Sequence, residues 1–113
     1  MAHGDEGSLN ATAGGTALSL ARKTGMSIVC GHTHRLGIQH QHMGYAGKTN
    51  HRLFGVEVGN MMDMKKAKYL PAGTGNWQQG FAVLSITKSG LVIPHLVPII
   101  NKSFLVDGVL YQW

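Results

Sequence analysis

From Thr16 to Lys23, apolar residues fall at Ala17, Leu18, Leu20 and Ala21 and form one partly apolar helical face. Thr12 or Thr16 can serve as its N-cap, and Gly25 supplies a stop. Met26 to Cys30 (MSIVC) is a compact, mostly apolar run with Ile and Val between Gly25 and Gly31, a pattern suited to a strand buried on both faces. A helix followed by such a strand predicts an α/β layer. After Gly31 the period changes to short β-like segments separated by Gly, Asn, Lys and Ser. Lys88, Ser89 and Gly90 predict one hairpin loop, and Asp107-Gly108 predicts a two-residue turn. Pro94 and Pro98 lack amide donors, which places their segment at a sheet edge. Residues 1 to 13 read as a loop, and Met61 to Leu70 as one short helix ending before Pro71.

A length of 113 residues fits a single domain spanning 1–113, and a 43% apolar content excludes a disordered tail. Neither a run of roughly 20 apolar residues nor a basic start with an apolar h-region is present, so the expectation is a cytoplasmic protein without membrane contact. Cys30, the single cysteine, lies in the apolar run and reads as a small buried hydrophobe. Ten Lys+Arg against five Asp+Glu give a net charge of +5, a surface that tolerates nucleic acid and phosphate esters.

Five of the seven His lie between residues 32 and 51. Spacing alone says little, but His32 and His34 directly follow the buried strand across Gly31. The carboxyl end of an internal strand is where open sheets place ligands. Imidazoles one residue apart can address one ion each, or neighbouring ions.

Gly31-His32-Thr33-His34-Arg35 after a hydrophobic strand resembles the last signature block of the calcineurin-like metallophosphoesterases. His3-Gly4, ahead of the helix and strand, is similar to the lone-His block that precedes it in that family. The resemblance implies an α/β fold, the C-terminal part of a four-layer α/β/β/α sandwich, mostly antiparallel β after residue 35. It implies metal ligation by His3, His32 and His34, with His3 and His32 on one ion and His34 on the other, the ions being Mn, Fe or Zn. Gly59-Asn60 and Gly73-Thr74-Gly75-Asn76 resemble the Gly-rich turns of the same fold. The family's Asp-x-His, Gly-Asp-x-x-Asp/Tyr and Gly-Asn-His-Asp/Glu blocks, which bring the bridging Asp, the Asn ligand and a protonating His, are missing. Asp5 lies in the wrong place to bridge two ions. The chain therefore resembles the C-terminal half of such an enzyme, beginning at its own Met1.

The expected function is metal-dependent phosphoester hydrolysis, phosphodiesterase- or nuclease-like, by a split or truncated enzyme with little activity alone. Its partners would be an N-terminal half-enzyme chain or a second copy. The alternative is a non-catalytic, basic, β-rich module that binds nucleic acid or protein, or that self-associates. Arg35 is either a phosphate contact or an ordinary surface residue. His3 is either a ligand or a solvated terminal side chain. His40 and His42 share a strand face, read as solvated, and His51 and His95 read as structural. Lys65, Lys66 and Lys68 form a basic cluster read as a solvated face. Trp77 reads as packing under the Gly-rich loop rather than as a base-stacking platform. Met61, Met62 and Met64 read as filling a core or a subunit contact.

Overall fold

The computed structural model describes residues 1–4, 12–63 and 76–113. Helix α1, Gly15–Thr24, starts without a side-chain cap at Gly14 and ends at Gly25, whose left-handed backbone (φ 73°) lets its N–H donate to the Ala21 carbonyl. Thr12 contributes its backbone carbonyl, which accepts from the Gly15 N–H. Strand β1, Ile28–Cys30, follows. Strands β2, Leu36–Tyr45, and β3, Lys48–Val58, form a long antiparallel hairpin closed at Ala46-Gly47, both with positive φ. Two further hairpins are β4, Gly80–Ile86, with β5, Val92–Pro98, and β6, Ser103–Val106, with β7, Val109–Gln112.

These last two hairpins turn at residues 88–90 and 107–108, where the turn residues predicted them. Short polar sequences with Gly or Asp accept the positive φ of a tight turn at little cost. Pro98 closes β5, which has β4 as its only ladder partner in the described residues.

The main sheet has the order β1-β3-β2, with β1 parallel to β3, and Ala2 adds a parallel bridge to Cys30 on the other side of β1. Ile28 and Cys30 are buried toward α1, whereas Val29, on the other face, is half-buried and Met26 is exposed, so the strand is covered fully on one face only. Helix α1 lies on one face of this sheet. Ala17, Leu20 and Ala21 pack there with Ile28, Cys30 and Leu53, and each large aliphatic side chain so buried contributes about 1.5–3 kcal/mol. The helix can sit this low because Gly55 has no side chain: a Cβ there would lie 2.1 Å from the Leu18 backbone nitrogen.

The opposite face, which includes fully buried Val56, is met by the β4–β5 hairpin. Leu36 of β2 lies so close to Gly80 that a Cβ on that glycine would come within 2.7 Å of it. The β6–β7 hairpin attaches through Phe104, whose ring meets Phe81 edge-on at 5.5 Å.

The fold-class expectation is overturned. Of the described residues 52% are in strands and 11% in a single helix, and the architecture is not a four-layer α/β/β/α sandwich. The antiparallel strands expected after residue 35 are present as hairpins. The layering differs because, among the described residues, a β-hairpin and not a helical layer meets the face opposite α1. In the segment expected to form a second helix, Met61–Asp63 is not helical, and residues 64–70 lie outside the described residues. Lys65, Lys66, Lys68, Met64 and most of the second Gly-rich turn also lie outside them, as does Asp5.

Candidate functional site

The segment from Gly31 to Arg35 leaves the carboxyl end of β1 in a tight path. His32 (φ 66°) and His34 (φ 56°) both adopt left-handed backbone conformations, which non-glycine residues rarely take and which the surroundings must hold in place. Several contacts do so. The Thr33 N–H donates to the Gly31 carbonyl at 2.7 Å, and the Gly59 N–H donates to the Arg35 carbonyl at 2.6 Å. Buried Asn60 donates through Nδ2 to the carbonyls of His34 (3.2 Å) and Gln78 (3.1 Å). The Gln78 N–H also donates to the His34 carbonyl, while its Oε1 accepts from the Leu36 N–H.

Beside this loop runs the N-terminal segment, held by the Ala2 N–H donating to the Val29 carbonyl at 2.9 Å. Gly4 (φ 114°) permits the approach, since a Cβ there would stand 2.5 Å from the Gly31 carbonyl oxygen. Two parallel segments thus end side by side, each followed by a histidine. His3 Nε2 lies 3.0 Å from His32 Nδ1, and the exposed rings are 4.8 Å apart between centroids. In the absence of an ion, one ring donates its N–H to the lone pair of the other.

A shared divalent ion fits the same spacing. Two nitrogens each about 2.0–2.1 Å from one ion, at about 90–110° to each other, stand about 2.9–3.4 Å apart. The His3–His32 spacing thus matches in distance what two nitrogens on one ion require. His34 is placed differently: its half-buried ring packs on Trp77, with centroids 4.5 Å apart and planes at 48°. Among the described residues, no three His, Cys, Asp or Glu side chains form a metal-holding group.

Arg35 is 5% exposed and faces inward. Its Nη2 donates to Glu57 Oε1 at 2.9 Å and to the Thr16 hydroxyl at 3.2 Å, so in this structure it is occupied with a buried anion rather than offered to a substrate phosphate. Glu57, on β3, is fully buried, and its Oε2 accepts from the Gly14 N–H at the start of α1. The pair joins the end of the histidine loop, the middle strand and the helix N-terminus.

Sequence reasoning passed over Glu57, and it read Asn60 only as part of a Gly-rich turn and not as the side chain that holds the His34 carbonyl. The signal for Glu57 was there: a single carboxylate between Val56 and Val58 in an apolar strand needs a buried partner, and such charges are rarely buried without one. Of the other histidines, His40 and His42 do share a face, with rings 6.4 Å apart, and the His51 Nε2 lies 3.3 Å from the Gly25 carbonyl.

No family model matches the chain, and no solved structure matches it. The chain is similar to two mycobacteriophage proteins. It is 42% identical over 112 residues to the Gene 54 protein of Mycobacterium phage L5, and 41% identical over 112 residues to the Gene 54 protein of Mycobacterium phage D29. In each comparison the match covers 97% of this chain and 43% of the relative, so the chain spans less than half the length of the relatives it matches. Among the described residues, no helix is long and apolar enough to cross a membrane.

Proposed function

We propose that this chain contributes the histidine-bearing, C-terminal portion of a metal-dependent phosphoester hydrolase, phosphodiesterase- or nuclease-like, working in the cytoplasm. The observation that carries this reading is the 3.0 Å approach of His3 Nε2 to His32 Nδ1 past the ends of two parallel segments. The resemblance of Gly31-His32-Thr33-His34-Arg35 to the metallophosphoesterase block supports it. So does the length of the relatives, more than half of which lies outside the match and offers room for further ligands.

His3 and His32 would hold one divalent ion, Mn, Fe or Zn, through neutral nitrogens. Such an ion polarises a phosphoryl oxygen and lowers the pKa of bound water. Gly4 and the Asn60 bonds keep the two rings at the right separation, and the Arg35–Glu57 pair anchors the loop from beneath. Two neutral imidazoles do not offset a dication, and no described carboxylate joins them. On this reading a partner portion brings the anionic ligands, and the chain alone would bind metal weakly and turn over little phosphoester.

Calorimetric titration of the chain with Mn²⁺ and Zn²⁺, beside His3→Ala and His32→Ala, tests the ligand pair. Weak binding lost in both variants is expected. Binding identical in wild type and both variants would remove the basis of the proposal. Hydrolysis of bis-p-nitrophenyl phosphate, with and without a polypeptide corresponding to the unmatched part of a phage relative, tests the activity. The alternative of a non-catalytic binding or self-associating module draws on the exposed apolar side chains of the later hairpins, Ile86 and Trp113 among them.

A further inference from the structure

A groove of about 570 Å³ opens on the sheet face opposite α1, between the β2–β3 hairpin and the loop that joins β4 to β5. Its volume lies within the roughly 300–1,000 Å³ typical of small-molecule sites. Register places the polar lining. Gly37 and Gly55 approach α1, so the alternate positions His40, His42, Arg52 and Phe54 turn to the other face, with His40 opposite Phe54 and His42 opposite Arg52. Val29 and Phe54 line the sheet side, and Leu84, Leu91 and Ile93 form the facing wall.

We infer that this groove binds a small amphiphile with an apolar body and a single carboxylate head. The argument is charge complementarity. Arg52, His40 and His42 are exposed along one side of an otherwise mostly apolar groove, and no acidic side chain lines it among the described residues. Arg52 makes no ion pair within the described residues. Its guanidinium is permanently charged and forks onto a carboxylate, while each imidazole can donate a further N–H. One permanent charge suits a monoanion, whereas a phosphate dianion would remain half compensated. The site is separate from the histidine pair, because neither His3 nor His32 lines it. The groove lies toward the starts of the parallel segments, with Met1 and Ser27 at its edge, rather than toward their carboxyl ends.

The test is calorimetric titration of the full chain with 2-naphthoate and with its neutral isostere 2-naphthamide. Naphthoate is expected to bind at least about tenfold more tightly, the scale of one charge-assisted contact. Arg52→Gln should abolish that preference, bringing naphthoate down to the affinity of naphthamide for the same variant. Ile93→Asp, a change at an exposed hairpin position, should weaken both ligands by about tenfold or more through loss of apolar contact and repulsion of the anion. Far-UV circular dichroism confirms that each variant keeps its strands. Equal binding of acid and amide by the wild type would overturn the inference, and that comparison needs no variant. So would failure of both ligands to bind, or a preference that survives Arg52→Gln.

Discussion

Removing either partner of the Arg35–Glu57 pair should weaken the whole fold more than any surface change, and removing both should restore most of the loss. Glu57 is 0% and Arg35 5% exposed, and their contact is 2.9 Å. Replacing Glu57 by Leu removes the carboxylate that accepts from the buried guanidinium, and replacing Arg35 by Met removes the cation beside a fully buried carboxylate. Losing one partner of a buried pair costs about 3–5 kcal/mol, a large part of the roughly 5–15 kcal/mol that holds a domain together. In Arg35→Met/Glu57→Leu neither charge remains, and apolar side chains of similar size fill the space. The residual cost is that of the Gly14 N–H losing its carboxylate acceptor, about 1–3 kcal/mol.

Urea unfolding followed by circular dichroism gives all four free energies at constant m-value. The expected cycle has two single variants each about 3–5 kcal/mol down and a double variant well above their sum. Single variants within about 1 kcal/mol of wild type, or a strictly additive double variant, would refute the reasoning, because either result means that the charges are not desolvated against each other.

Three further outcomes follow from the packing. Gly55→Ala should lose about 3 kcal/mol in the same unfolding assay, since a Cβ 2.1 Å from the Leu18 nitrogen forces α1 off the sheet. Asn60→Ala should cost about 1–3 kcal/mol by removing the donor to the His34 and Gln78 carbonyls; a change in the His32 and His34 NMR shifts would show that the loss is felt in the loop. Gly4→Ala keeps all seven histidines in the sequence but pushes the His3 segment away from Gly31, so Zn²⁺ affinity measured by calorimetry should fall by about tenfold or more, alongside a loss of stability of about 1–3 kcal/mol from the strained positive φ.

What the sequence by itself determined was local. The helix stop at Gly25, the hairpin turns at Lys88-Ser89-Gly90 and Asp107-Gly108, and the shared face of His40 and His42 each depend on residues a few positions apart, whose turn chemistry or period the chain carries openly. The expectation of a four-layer sandwich came instead from resemblance, and it failed because a β-hairpin covers the sheet face opposite α1 among the described residues. Tertiary structure alone decided which distant segments meet. It set His3 against His32 across 29 positions, turned the His34 ring onto Trp77, and sank Arg35 onto Glu57, two side chains 22 positions apart. Such meetings are fixed by strand order and register, and by how closely a glycine lets two backbones approach. Those depend on the summed burial of the whole domain, and no short window of sequence contains that sum.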